Sequence, residues 1–340
     1  MTALADSATM ILGRTSELVT PALRDAVGML DDRLRLIASY QLGWCDWDGT
    51  PSTDAGGKGL RPTLAILSAQ AGGGQPADGV PGAVAVELVH NFSLLHDDVM
   101  DRDLERRHRP TGWAAFGEGQ AILAGNAMCL LAVDVLRQAA GPGLRALPCL
   151  TGAVHRLISG QSDDLALENA ESIDLATCLR MEAGKTAALL ACSASIGAVL
   201  ADAPVPVVDA LAGFGFELGI AFQLVDDILG IVGDPDVTGK SASSDVRTGK
   251  RSAPIVAALR SDTEAGIALN ELMATGPPQT DDDVELAAKL IAEAGGLRWT
   301  AREADHRLTR ALGHLHPVSA QTGAVADLVT LARYVVDRDR

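Results

Sequence analysis

Residues 87–111 read ELVHNFSLLHDDVMDRDLERRHRPT, and the rest of the chain is organised around them. Apolar residues recur at helical rather than alternating spacing, and neither Gly nor Pro occurs before Pro110, so the spacing predicts one long helix. On that helix Asp97 and Asp101 share a face one turn apart, with His90 and Leu94 continuing the stripe toward the N-terminus. Stacked carboxylates repel, and a cation between them relieves the repulsion. With no Cys nearby and His96 turned off their face, these acids suit a hard, oxygen-loving ion such as Mg²⁺, which keeps several waters and binds phosphates on its open side. Arg106 and Arg107 follow as fixed cations suited to phosphate oxygens. Taken alone, the string equally describes a solvated, charged helix end.

A second acidic cluster breaks that tie. Asp226 and Asp227 lie in an apolar run with Phe222, Leu224, Val225, Ile228 and Leu229. Acids inside such a run need a partner or they neutralise, unless both face solvent along one helix edge. The charged, Gly-containing segment beyond them carries Asp234, Lys240, Asp245, Arg247, Lys250 and Arg251, and is long enough to act as a lid. Upstream, GGKGLRP at 56–62 loosens the backbone before a helix start and supplies Lys58 and Arg61, an arrangement suited to anions. It is not a P-loop, because GxxxxGK[ST] is absent. Lys185, in MEAGKTAALL, sits among small and apolar residues and needs an anion, a cavity or a route to the surface.

Composition bounds the remaining possibilities. The chain has 340 residues, 47% of them hydrophobic and 21% charged, with only 3% aromatic, and Ala, Leu and Val dominate. That balance favours close-packed helices, and an all-α fold is expected. A net charge of −16 argues against a nucleic-acid partner. The five cysteines show no CxxC spacing, so neither a disulfide framework nor a zinc site is suggested, and a reducing cytoplasm fits best. The N-terminus does not read as a secretory signal, and apolar runs such as 114–135 are broken by polar residues, so no transmembrane segment is expected. Residues 8–42 predict two helices interrupted near Pro21. Further helices are predicted over 112–139, 144–167, about 175–200 and about 206–233, with an acidic turn at TDDD (280–283). No linker or domain boundary stands out between 1 and 340.

Together these features closely resemble the trans-isoprenyl diphosphate synthase (polyprenyl synthetase) family. GGKGLRP is similar to that family's GGKxxRP, DDVMDRDLERRHRPT to its first aspartate-rich motif with the trailing RRGxPT, and FQLVDDILGIVGDPDVTGK to its second. The resemblance covers nearly the whole chain. It implies an all-α isoprenoid synthase bundle of roughly ten or more helices around a deep central cavity, across which the two acidic segments face each other, usually in a homodimer.

Residue by residue, the resemblance implies that Asp97, Asp101 and Asp226 ligate three Mg²⁺ ions bridging an allylic diphosphate, supported by Asp98 and Asp227. Arg106, Lys185, Thr186, Gln223, Lys240 and Lys250 match positions around the same diphosphate. Lys58, Arg61, His90 and Arg107 match the isopentenyl diphosphate site. Two departures stand out. His108 replaces the Gly of RRGxPT, and Gly230 stands where the second motif has its last Asp, which leads us to expect weakened or retuned metal binding and retained activity, with Asp234 as a candidate substitute. The resemblance further points to a product of twenty carbons, as in bacterial geranylgeranyl diphosphate synthases. Phe92, about 7.5 Å along the helix from Asp97, and the small Ser93 would form the cavity floor. Alternatives are a farnesyl or longer-chain synthase, a class I terpene cyclase, and a non-catalytic partner subunit.

Overall fold

The structure is a computed structural model that describes residues 2–52, 57, 59–168, 173–233, 243–274, 276–318 and 323–337. It is all-α. The helices are α1 (Thr2–Gly28), α2 (Asp32–Gln41), α3 (Leu60–Ala71), α4 (Val80–Met100), α5 (Gly112–Phe116), α6 (Glu118–Gln138) and α7 (Ala140–Glu168). There follow α8 (Leu175–Glu182), α9 (Ala188–Leu200), α10 (Val205–Val232), α11 (Ser244–Thr248) and α12 (Ala253–Leu259). The last four are α13 (Glu264–Met273), α14 (Asp281–Glu293), α15 (Gly296–His314) and α16 (Gly323–Asp337). The chain divides into two compact units, 1–154 with 189–215 and 314–334, and 155–188 with 216–313 and 335–340.

Side-chain caps start many of these helices. Asp31 accepts from the backbone N–H groups of Arg33 and Leu34, Asp174 from Thr177, and Thr263 from Gly266. The acidic TDDD is the start of α14 rather than a turn: Thr280 accepts from the Asp283 N–H, and Asp281 to Asp283 fill the first turn, where the helix dipole favours negative charge.

Three further sequence expectations are corrected. Pro21 does not interrupt α1, which runs through it to Gly28. Pro21 and Glu17 are both exposed, so the carbonyl freed by the missing N–H faces water. The helix expected over 112–139 is broken at Gly117, whose φ of +91° ends α5 and opens α6. The long helix predicted through Arg107 stops at Met100. A two-stranded hairpin follows, β1 (Glu105–Arg106) and β2 (Arg109–Pro110), with Arg106 opposite Arg109. Its two-residue loop, Arg107 and His108, has φ of 54° and 59°, the paired left-handed geometry that tight hairpins favour.

In the first unit α4 packs against α3 and α6 around a core that includes Leu64, Leu67, Leu88, Leu95 and Met128. In the second, Ile231, Val246, Ile255, Leu269, Val284 and Ile291 form one cluster beneath α10, α11 and α12. By length and composition alone, Glu118–Gln138, Leu175–Leu200 and Val205–Val232 are each long and apolar enough to cross a membrane. Inside the protein, 78% of the apolar window of the second is buried.

Candidate active site

The first acidic cluster lies at the end of α4, where helical geometry sends its neighbouring acids in different directions. Asp98 is 1% exposed, and both Nε and an Nη of Arg106 reach its Oδ1 at 2.7 Å. Burial raises the Asp98 pKa, and Arg106 pulls it back. For Arg106, burial opposes the charge, but Asp98 and then Asp97 and Asp103 outweigh it, so the guanidinium is held more firmly than usual. Asp98 Oδ2 is buried without a hydrogen-bond partner. Asp97, one position earlier, is half-buried, and Asp101 caps the helix at the surface.

The hairpin carries Arg106 and Arg107 back beside α4. Tyr40 Oη donates to the Pro110 carbonyl at 2.6 Å, while the Arg109 guanidinium lies 4.4 Å over the Tyr40 ring and donates to the Cys45 carbonyl. Thr111 Oγ1 and Trp113 Nε1 both donate to the Asp103 carbonyl, at 2.7 and 2.8 Å, closing the other end. None of these anchors was legible as functional in sequence, because they act on backbone atoms.

Above the acids, Arg61 Nη1 lies 3.3 Å from His90 Nε2. Burial and then Arg61, Arg107 and Arg106 push the His90 pKa well below its ordinary value, so the ring is neutral. Arg61 is only a donor, so Nε2 accepts and Nδ1 carries the proton. Glu87, whose pKa burial raises, accepts from Asn91 Nδ2 at 3.0 Å. A methyl group placed on Gly57 would lie 3.0 Å from the Arg107 guanidinium, so Gly57 reaches the hairpin tip. Arg61, His90, Arg106 and Arg107 are thus gathered in one unit. Lys58 lies outside the described residues, as do Lys240 and Asp234.

The second cluster shows the same division of labour. Asp227 is 2% exposed, accepts from Gln223 Nε2 at 2.8 Å, and accepts through Oδ2 from the Ala253 N–H at 3.0 Å, satisfying an orphan donor at the start of α12. Two acids lying together along a solvent edge are thereby excluded; Asp226 is half-buried. Thr186 Oγ1 donates to Gln223 Oε1 at 2.8 Å, which extends the chain to Asp227.

Lys185 lies in a π-helical turn, Ala183–Ala187, between α8 and α9, an irregularity frequent at functional sites. That turn touches α7 where Gly160 meets Gly184; a methyl on Gly160 would fall 2.2 Å from the Lys185 backbone nitrogen. So close an approach places Lys185 Nζ 2.5 Å from Asp164 Oδ2. Burial opposes the Lys250 charge, yet Asp245, Asp227, Asp164 and Glu182 more than offset it and its pKa is raised. Burial and then Asp227 hold the Glu182 pKa well above the usual range, and Cys178 Sγ donates to its Oε1. Asp164 and Glu182 were given no role from sequence, since only the fold brings them to the second motif, and Asp245 was read only as part of the charged segment beyond it.

Among the described residues no three His, Cys, Asp or Glu side chains converge on one point. Mg²⁺ does not need such a cage, because it binds through one or two carboxylates together with water and substrate phosphate. The donors fit that pattern: all are oxygens, few per cluster, and Asp98 has an unsatisfied buried oxygen.

The chemistry of this arrangement agrees with what the chain is similar to. The polyprenyl synthetase family profile matches residues 50–291. A (2E,6E)-farnesyl diphosphate synthase of Mycobacterium tuberculosis is 44% identical, over 96% of this chain and 92% of that protein. A geranylgeranyl diphosphate synthase of the same organism is 40% identical, over 98% and 95%. Among solved structures, a polyprenyl synthetase from Streptomyces coelicolor matches with a TM-score of 0.92 and 46% identity, over 97% and 99% of the two chains.

Proposed function

Since the chain belongs to the polyprenyl synthetase family, we propose that this prenyltransferase condenses isopentenyl diphosphate head-to-tail with an allylic diphosphate. The product is all-trans geranylgeranyl diphosphate, and pyrophosphate is released. The carrying observation is the pairing of two acidic clusters with gathered cations: Arg106 and Arg107 beside the first, Lys185 and Lys250 beside the second.

Asp97, Asp101 and Asp226 would hold Mg²⁺, three ions with a bound diphosphate, and Asp98 and Asp227 orient them from behind. When bound, the metal stabilises charge on the departing pyrophosphate. The chain's own groups do the rest. Arg106, Lys185, Lys240 and Lys250 hold the allylic diphosphate, with Thr186 and Gln223 fixing its direction. Fixed donors of this kind lower the barrier where charge develops. Lys58, Arg61, His90 and Arg107 hold isopentenyl diphosphate. A neutral His90 suits that role, because it donates a hydrogen bond without adding charge to the three arginines around it. Apolar helices keep water from the reacting carbons. No protein nucleophile takes part.

A second reading, farnesyl diphosphate as product, is favoured by the 44% identical relative of that name. Phe92 and Ser93 support twenty carbons: Phe92 is buried, edge-on against His96 at 5.3 Å, and Ser93 is small, its Oγ donating to the His90 carbonyl. We also propose a cytoplasmic homodimer. Ile122, Leu123 and Leu130 expose an apolar face of α6, with Leu130 68% exposed, and a second copy would cover it. Incubation with labelled isopentenyl diphosphate, Mg²⁺ and each allylic primer, with product length read by chromatography, tests the activity. Hydrocarbon formed from an allylic diphosphate alone would indicate a cyclase instead.

A further inference from the structure

Arg109 fills the one position that the stretch RRGxPT leaves open, and it ties the hairpin to two other parts of the first unit. Its side chain is only 18% exposed. The guanidinium lies 4.4 Å over the Tyr40 ring, and one Nη donates to the Cys45 carbonyl at 2.7 Å and to Asp46 Oδ1 at 3.3 Å. Tyr40 is itself fixed, edge-on against Phe116 at 5.2 Å, and its Oη donates to the Pro110 carbonyl at 2.6 Å. Both residues of β2 are thus gripped, Arg109 by its side chain and Pro110 by its carbonyl.

The loop that Arg109 holds is a folded unit. Cys45 bridges Pro51, the Asp46 N–H donates to the Thr50 carbonyl at 2.8 Å, and the Ser52 N–H donates to the Trp44 carbonyl at 3.1 Å. From Ser52 the chain runs on to Gly57, which lies against the Arg107 guanidinium. Arg107 in turn belongs to the two-residue hairpin loop that ends at Arg109. On the prenyltransferase reading above, we infer that Arg109 is a positioning residue for isopentenyl diphosphate: by clamping β2 to Tyr40 and the Cys45 loop, it sets where Arg107 stands beside Arg61 and His90. Arg106 has a separate hold, since its Nε and an Nη both reach Asp98 Oδ1 at 2.7 Å from α4. Loosening the clamp should therefore affect the substrate assigned to Arg61, His90 and Arg107 and spare the allylic diphosphate assigned to Arg106.

Two variants separate position from charge. Arg109→Met keeps the length of the side chain and loses its hydrogen bonds and stacked cation. Tyr40→Phe changes no charge, because burial raises the Tyr40 pKa and the phenol is neutral, and it removes only the hold on the Pro110 carbonyl. Calorimetric titration of the full-length protein with isopentenyl diphosphate in Mg²⁺-free buffer reads this cation group without turnover. Arg109→Met should bind at least about tenfold more weakly than wild type and Tyr40→Phe about threefold, because a displaced guanidinium loses its geometry toward the diphosphate. With Mg²⁺, the KM for isopentenyl diphosphate should rise in the same order while that for the allylic diphosphate stays within about twofold. Arg109→Met binding like wild type, or both KM values rising equally, would overturn the assignment. So would Tyr40→Phe binding like wild type beside a weakened Arg109→Met, which would reduce Arg109 to a distant charge, and so would a wild type that binds no isopentenyl diphosphate. A wild type that binds it but forms no prenyl product with Mg²⁺ and an allylic primer would refute the prenyltransferase reading instead, while weaker binding by both variants would still support the clamp.

Discussion

Removing the Arg106 guanidinium offers the most direct test of how the first acidic cluster is held. In Arg106→Ala, Asp98 stays buried with Oδ2 already unpaired and now loses both contacts to Oδ1. Breaking a buried pair from one side typically costs about 3–5 kcal/mol. The Arg106 side chain is 25% exposed, so water screens part of the loss and the low end, about 3 kcal/mol, applies. With an unfolding entropy of ~2.1 cal/mol/K per residue over 340 residues, the melting midpoint should fall by roughly 4 °C. Asp98→Asn/Arg106→Ala, which removes both charges, should regain more than half of that. The pH dependence has a definite sign. Burial already raises the Asp98 pKa, and losing Arg106 raises it further. A carboxyl that binds its proton more tightly when folded adds stability as pH falls through its folded pKa, and that gain is lost as pH rises. The deficit of Arg106→Ala should therefore shrink on acidification from neutrality. A variant melting within 1 °C of wild type, or a deficit that grows toward acid, would refute the argument. Calorimetric scans across pH supply both readings.

Asp226→Ala should lower turnover by orders of magnitude while the chain stays folded, and Asp97→Ala likewise. Asp227→Ala should also melt lower, because Gln223 and the Ala253 N–H lose a buried acceptor, about 1–3 kcal/mol for a stranded group; equal melting of the Asp226 and Asp227 variants would contradict this. Phe92→Ala should lengthen the product and Ser93→Phe shorten it, read by chromatography, and an unchanged product from Phe92→Ala would mean that another wall ends the chain. The Cys149 and Cys192 sulfurs lie 3.5 Å apart, so diamide, taking up the two thiol hydrogens, should join them in a disulfide detectable by peptide mapping and absent from Cys149→Ser.

Helix content and motif order were legible because they rest on period and composition, which packing preserves. Residues 101–111 were not. Their charges and lack of Gly read as helix, whereas the chain turns at Arg107 and His108, both at positive φ. The family motif has Gly at position 108, where left-handed backbone is cheapest, and His masks that signal at a cost of about 1–2 kcal/mol. The acids around Lys250 were only partly legible: Asp245 was read in the same charged segment, but Asp164 and Glu182 lie far from Lys250 in sequence and only the fold brings them to it.

The paired acids carry the most general consequence. Adjacent residues on a helix point about 100° apart, at 3.6 residues per turn, so two neighbouring aspartates cannot serve one ligand from one face. In both motifs the second acid turns inward, Asp98 to Arg106 and Asp227 to Gln223 and the Ala253 N–H. The first acid of each stays half-buried. On the proposed function, the doubled aspartate is one group for the ligand and one for the scaffold. The scaffold acid sets where the next element sits: the hairpin carrying Arg106 in one unit, the start of α12 in the other. Charge removal at the second position should therefore lower the melting midpoint as well as change the chemistry, because it strands the donors that fix the next element.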